Sequence, residues 1–107
     1  MKEIEIISKM KTYAAQAIQF KAGIDFSEFS KDIKTINACV FNLSQIGELV
    51  TKLDEKFIKD NNHIPWRKIK DMRNRIVHDY EGIHLHIVWE VLTDFLPELI
   101  TNLEKLN

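Results

Sequence analysis

"INACVFNLSQIGELV", residues Ile36 to Val50, decides the fold. Its apolar residues do not alternate as those of a half-buried strand would. They recur at three and four, and the stripe runs Ile36, Val40, Leu43, Gly47, Val50, Leu53 and Phe57. That period predicts one long helix from Ile33 to about Lys59. Ala38, Cys39, Phe41, Ile46 and Leu49 place further apolar groups on the other faces, so the first half of this helix needs cover on more than one side. In a chain of 107 residues, a second subunit is a ready source of that cover.

Working outward, Ile4, Ile7, Met10, Ala14, Ala17 and Lys21 step by three and four and predict an amphipathic helix over residues 2–21, ended by Gly23. In "DFSEFSKD" (Asp25–Asp32), Asp25 and Ser27 are candidate N-caps for a short helical turn. "KDNNHIP" (Lys59–Pro65) is the clearest break, because asparagines favour turns and Pro65 holds Ile64 extended. Pro65 suits the start of a helix carrying "WRKIKDMRNRIVH", which should fray around Asp79 to Gly82. A last helix, about Ile83 to Lys105, presents Leu85, Val88, Leu92, Phe95, Leu99, Leu103 and Leu106. Pro97 lacks an N–H and clashes with the preceding turn, so a kink is expected near Thr93. Trp66 and Trp89 should anchor these last two helices in the core. Three glycines and two prolines are too few for the turns of an all-β fold. The expected architecture is all-α: an antiparallel bundle of four to five helices in a single domain spanning residues 1–107.

Composition narrows the function classes. Folding a chain of this length buries roughly 60–70% of its unfolded surface, enough for a core without staples. The lone Cys39 has no partner for an intrachain disulfide, which fits a reducing cytoplasm. Charges interrupt every apolar stretch before the ~20 residues of a membrane span, and "MKEIEIISKM" does not read as a secretory signal. The expectation is therefore a cytoplasmic protein with no membrane partner. Fifteen Lys and Arg against sixteen Asp and Glu give a formal net charge of -1, so attraction to nucleic acid must come from a local patch.

Such a patch exists. Arg67, Lys68, Lys70, Arg73 and Arg75 supply five positive charges within nine residues, opposed there only by Asp71. A basic run of this kind is usually a solvated helix face. Here it leads into His78, which exchanges a proton near neutral pH, and it contains Arg73, whose planar fork can hold a phosphate through two hydrogen bonds. Those two groups suffice for RNA cleavage without metal. A base takes the proton of the 2′-hydroxyl, that oxygen attacks the adjacent phosphorus, an acid protonates the leaving oxygen, and a cation steadies the added negative charge. On an unbroken helix, however, five residues are about 140° of rotation, so Arg73 and His78 would not share a face. Either the helix loosens before His78 or the groups meet across a subunit boundary. A two-fold dimer would also bring two His78 side chains, one acid and one base, to one cleft. Arg73 has a second possible role as an ion-pair partner of Asp71 or Glu48, and Glu48 is placed to reach the basic helix. Gly47, beside it on the apolar stripe, permits close approach of another backbone.

"RNRIVHDY" (Arg73–Tyr80), with an arginine, four residues, a histidine, one residue and a tyrosine, resembles the signature of the HepT-like toxins of the HEPN ribonuclease superfamily. "NLSQIGELV" (Asn42–Val50), "HIPWRKIKDMRN" (His63–Asn74), "GIHLHIVWEVL" (Gly82–Leu92) and "LPEL" (Leu96–Leu99) resemble further blocks of that family in its order. The resemblance implies an all-helical homodimer that cuts RNA without metal or cofactor, as the toxin of a toxin–antitoxin pair. It implies catalytic roles for Arg73 and His78, and Asn74 matches a polar position beside the arginine that orients the histidine or binds phosphate. Arg75, Lys70 and Arg67 are the remaining candidates for substrate binding. The antitoxin implied is a minimal nucleotidyltransferase, which in some pairs transfers AMP to the tyrosine matched by Tyr80. Two departures add negative charge near the site: Asp71 stands where a small residue is common, and Glu81 follows Tyr80 where an aromatic is frequent.

Two other readings stay open. In one, the helical dimer engages a nucleotidyltransferase and presents Tyr80 but cuts nothing. In the other, the bundle is structural and its basic patch incidental. A zinc site built from His78, His84 and His86 is disfavoured by their spacing, and His63 lies in a loop with no special role expected.

Overall fold

The computed structural model of the chain describes residues 2–78 and 85–106, with the side chains of Val77 and His78 excepted. The described elements are all helical: α1 (Lys2–Phe20), α2 (Phe26–Phe29), α3 (Ile33–Val50), α4 (Glu55–Asp60), α5 (Trp66–His78), α6 (Leu85–Glu90), a π-helical segment (Val91–Phe95) and α7 (Leu96–Glu104). The all-α expectation is met, and none of the described helices is long and apolar enough to cross a membrane. The fraying expected at Asp79–Gly82, and the start of the last helix at Ile83 and His84, lie outside the described residues.

Helix α3 is the centre of the bundle, packed on α1 along one side and on α5 along another, while α7 and the π segment close over α1. The α1–α3 pair is antiparallel. Cys39 Sγ donates to the Ala17 carbonyl at 3.6 Å, and three residues later Asn42 Nδ2 donates to the carbonyl of Tyr13, four residues earlier, at 3.1 Å. Met10, Ala14 and Ala17 meet this seam fully buried, and small side chains at 14 and 17 let the helices come close. Ile4, expected on the buried stripe, is instead 50% exposed, and Ile6 is buried with Ile7.

Capping residues set the helix starts. Asp25 closes a reciprocal box with Glu28 and so begins α2; Ser27 lies inside that turn and does not cap it. Asp32, with no such role expected from the sequence, caps α3 by accepting from the Thr35 backbone N–H and hydroxyl, and these bonds hold its carboxyl below the usual range. Gly23, at φ +81°, supplies the left-handed residue after α1. The Pro65 carbonyl accepts from Ile69 and starts α5 as expected.

A larger expectation also fails. The helix from Ile33 does not continue to Lys59: it ends at Val50, turns through Thr51–Asp54, and restarts as α4. No glycine or proline marks this break. Tertiary burial accounts for it, because the turn keeps Leu53 in the core, and the Thr51 hydroxyl closes the last turn on the Glu48 carbonyl at 2.6 Å.

The kink expected near Thr93 takes the form of the π segment. Pro97 has no N–H to give the Thr93 carbonyl, so the turn before it widens: Leu96 N–H donates to Val91 O, five residues back. Thr93 Oγ1 bonds the Trp89 carbonyl at 2.9 Å. Trp66 is buried, with its indole N–H on the Asn61 carbonyl at 3.0 Å. Trp89 is half-buried against Phe29 and Phe26, with the Lys21 ammonium 4.7 Å from its ring.

Candidate active site

Helix α5 carries its apolar residues Trp66, Ile69 and Ile76 inward and its cations outward. At 100° per residue, Arg67, Lys70 and Asn74 lie within about 60° of one another on the outward face, and position 78 adds to the same arc. By the same count Arg73 falls between Ile69 and Trp66, so its stem points at α3, where its Cβ and Cγ lie against Gly47. Arg75 is about 160° from Arg73 and faces elsewhere, and Lys68 stands over the Phe95 ring at 5.1 Å. The expected basic cluster is thus split: Arg67 and Lys70 border the Asn74 side, while Arg75 and Lys68 do not.

Arg73 is tied down by two side-chain hydrogen bonds among the described residues. Its Nη2 donates to Glu48 Oε2 at 2.7 Å and its Nη1 to Asn74 Oδ1 at 2.9 Å. Nε is buried with no partner among the described residues. Of the two ion-pair partners considered, Glu48 is the one engaged. Gly47 makes this possible, because a Cβ there would overlap Arg73 Cβ and Cγ. The absent side chain lets α5 settle on α3 so closely that Arg73 must leave along the α3 surface, toward the next carboxylate. The pair is 31% and 46% exposed, so solvent screens it and its value lies in direction more than in stability.

Asn74 connects the two halves of the motif. One residue after Arg73 it reaches back to the guanidinium, and it lies one turn before His78, on the same side of the helix. Helical bonding runs through His78, so the loosening before it is not found, and the backbone of Arg73 and His78 stays about 140° apart within one chain. The His78 side chain, Tyr80, Glu81 and His84 lie outside the described positions; Asp71 is exposed. Among the described residues no three His, Cys, Asp or Glu side chains gather as a metal site. The sequence offered Glu48 as one of two ion-pair partners for Arg73; the bond from Arg73 to Asn74 was not expected.

Residues 10–106 match the family described as Ribonuclease HepT-like. The chain is 33% identical over 102 residues to "Putative RNase MJ0127" of Methanocaldococcus jannaschii, covering 95% of this chain and 81% of that protein. It is 38% identical over 77 residues to "Putative RNase TTE0752" of Caldanaerobacter subterraneus subsp. tengcongensis, covering 72% and 69%. A third relative, "Probable ribonuclease HepT" of Thermococcus cleftensis, is 32% identical over 89 residues, covering 83% and 81%. No solved structure matches the chain. A helical bundle with an arginine held at the edge of its basic helix, matched over nearly its whole length by these sequences, belongs to the HepT-like ribonuclease family.

Proposed function

We propose that this HepT-like protein is a metal-independent endoribonuclease acting as a two-fold homodimer, the toxin of a toxin–antitoxin pair. Arg73 binds the scissile phosphate and its developing charge. His78 of one subunit takes the 2′-hydroxyl proton, and His78 of the other protonates the leaving 5′-oxygen, so the strand ends in a cyclic phosphate on one side and a free hydroxyl on the other. The observation that carries this is the Arg73 guanidinium, directed by Glu48 and bonded to Asn74 one turn before His78.

Two further observations favour a dimer. The helix is regular through both motif positions, which leaves a subunit boundary as the way to bring Arg73 and His78 together. The outward face of α3 carries Ile33 at 70% and Phe41 at 55% exposure, and Asn37, Ser44 and Glu48 complete that face at helical spacing. An apolar patch continuous with the Arg73–Glu48 pair suits a second copy.

The antitoxin is a minimal nucleotidyltransferase, and its transfer of AMP from ATP to the Tyr80 hydroxyl, releasing pyrophosphate, would place a bulky anion beside the site. This part of the proposal rests on the resemblance of "RNRIVHDY" to the family signature.

The test is RNA incubated with the purified protein and a chelator, alongside His78→Ala and Arg73→Ala. Each substitution should lower the rate by about 10²–10⁴. The wild-type rate should change between about pH 5 and 8, where the histidines titrate. Equal cleavage by all three proteins would remove the site.

A further inference from the structure

Arg73 is held in a way that phosphate binding alone does not require. A guanidinium has five N–H donors: one on Nε and two on each terminal nitrogen. Nε is buried, Glu48 takes one donor of Nη2, and Asn74 takes one donor of Nη1. Among the described residues, one N–H then remains on each terminal nitrogen. Two donors on adjacent nitrogens are the fork that grips two oxygens of one phosphate. The carboxylate takes one donor and leaves one on each terminal nitrogen for phosphate oxygens, while fixing where the guanidinium points.

We propose that Glu48 is the positioning residue of the ribonuclease site: it draws Arg73 along the α3 surface and holds the guanidinium ready for a phosphodiester before RNA arrives. This rests on the assignment of Arg73 to the scissile phosphate. Gly47 is the structural condition for it, since only a residue without a side chain lets the Arg73 stem lie against α3 and bring Nη2 within 2.7 Å of Glu48. The arrangement settles in advance the rotamer freedom that a long flexible side chain would otherwise lose on meeting substrate. Its carboxylate also repels phosphate, so two effects of opposite sign meet at Glu48. Placement at the transition state predicts that orientation wins: kcat depends on Glu48, while KM, set by the other cations of α5, hardly does.

The experiment compares wild type, Glu48→Ala, Glu48→Gln and Arg73→Ala on one RNA substrate, with kcat, KM and thermal unfolding measured for each. Glu48→Ala should lower kcat by about tenfold to hundredfold. Glu48→Gln, which keeps an acceptor oxygen for Nη2, should recover kcat to within about threefold of wild type, and KM should stay within about twofold throughout. The unfolding midpoints should coincide. If Arg73→Ala is inactive but Glu48→Ala cuts as fast as wild type or faster, Glu48 is a competitor for the guanidinium and the proposal is overturned, with the ribonuclease assignment intact. A loss that Glu48→Gln does not recover, accompanied by a lowered midpoint, makes Glu48 merely structural and overturns it as well. If wild type and Arg73→Ala cut alike, the assignment of Arg73 itself fails and the positioning role goes with it.

Discussion

The two sides of α3 differ: one buries its side chains against α1, and the other meets α5 with an ion pair that solvent reaches. Against α1 the seam is closed: Cys39 and Ile46 are fully buried, and the buried polar side chain of Asn42 donates to Tyr13 O and Gln16 Oε1. Against α5 the seam begins in the core at Ile69 and Ile76 but opens at Gly47 into a carboxylate and a guanidinium that solvent reaches. A buried polar group must satisfy itself inside the protein, whereas Arg73 keeps donors to spare at the surface. The contrast teaches where to look for function: at the place where close packing is used to aim a charge rather than to exclude water.

Truncation on the α1 side should cost the most stability. Ile46→Ala removes a fully buried side chain, and a loss of about 2–5 kcal/mol is expected in denaturant unfolding. Cleavage per folded molecule should stay close to wild type, and a specific loss of activity in the folded fraction would break the division between the seams. Gly47→Ala comes next. The added methyl overlaps the Arg73 stem, so overpacking of about 1–3 kcal/mol opposes roughly 1 kcal/mol gained in helix propensity. The net stability change is therefore smaller than at Ile46. The activity effect should be larger, about a hundredfold loss, because α5 or the guanidinium must move. A Gly47→Ala protein as active as wild type would mean that the close approach is incidental.

A smaller effect follows from Cys39 on the closed side. Burial pushes its thiol from 9.0 up to about 11. The unfolded chain therefore loses this proton first, and wild-type stability should fall between pH 9 and 11, on the order of 1–2 kcal/mol from this group. Below pH 9 the thiol is protonated in both states and contributes nothing to the slope. Other groups titrate in this window, so the measurement is the difference in slope between wild type and Cys39→Ala; equal slopes would show the thiol to be accessible to water.

The same contrast explains what the sequence disclosed. The apolar period at three and four marked α1, α3 and the last helix because a helix stripe is a local pattern, and Pro97 announced the irregular turn because a missing N–H acts on the carbonyl four residues before it. The break after Val50 was hidden: "TKLDEK" holds no glycine or proline, and its local signal is Asp54, which stands at the N-cap of α4 while Leu53 is buried. At the site, the basic run and the candidate role of Arg73 were legible from charge and spacing. Glu48, 25 residues away, was legible only as one of two possible partners, because the choice between it and Asp71 depends on how near two helices approach. The separation of Arg75 from Arg73 was calculable from 100° per residue and was obscured by counting charges along the chain rather than around the helix.

The smallest expected change in the folding of a single subunit comes from Phe41, and it bears on the open side. Phe41 is 55% exposed and lies seven residues from Glu48, two turns along the same face. Replacing it with aspartate removes few contacts within the chain, so unfolding of dilute protein should shift by no more than about 0.5 kcal/mol. In a dimer joined through this face, the same substitution would bury a carboxylate against an apolar partner, and the dimer dissociation constant should rise by at least about tenfold in sedimentation equilibrium. On the proposed reading the second subunit completes the site, so cleavage should fall with the dimer and recover as protein concentration rises. A Phe41→Asp protein that remains dimeric and cuts RNA like wild type would place the subunit boundary elsewhere, and Arg73 and His78 would then need another route to a common phosphate.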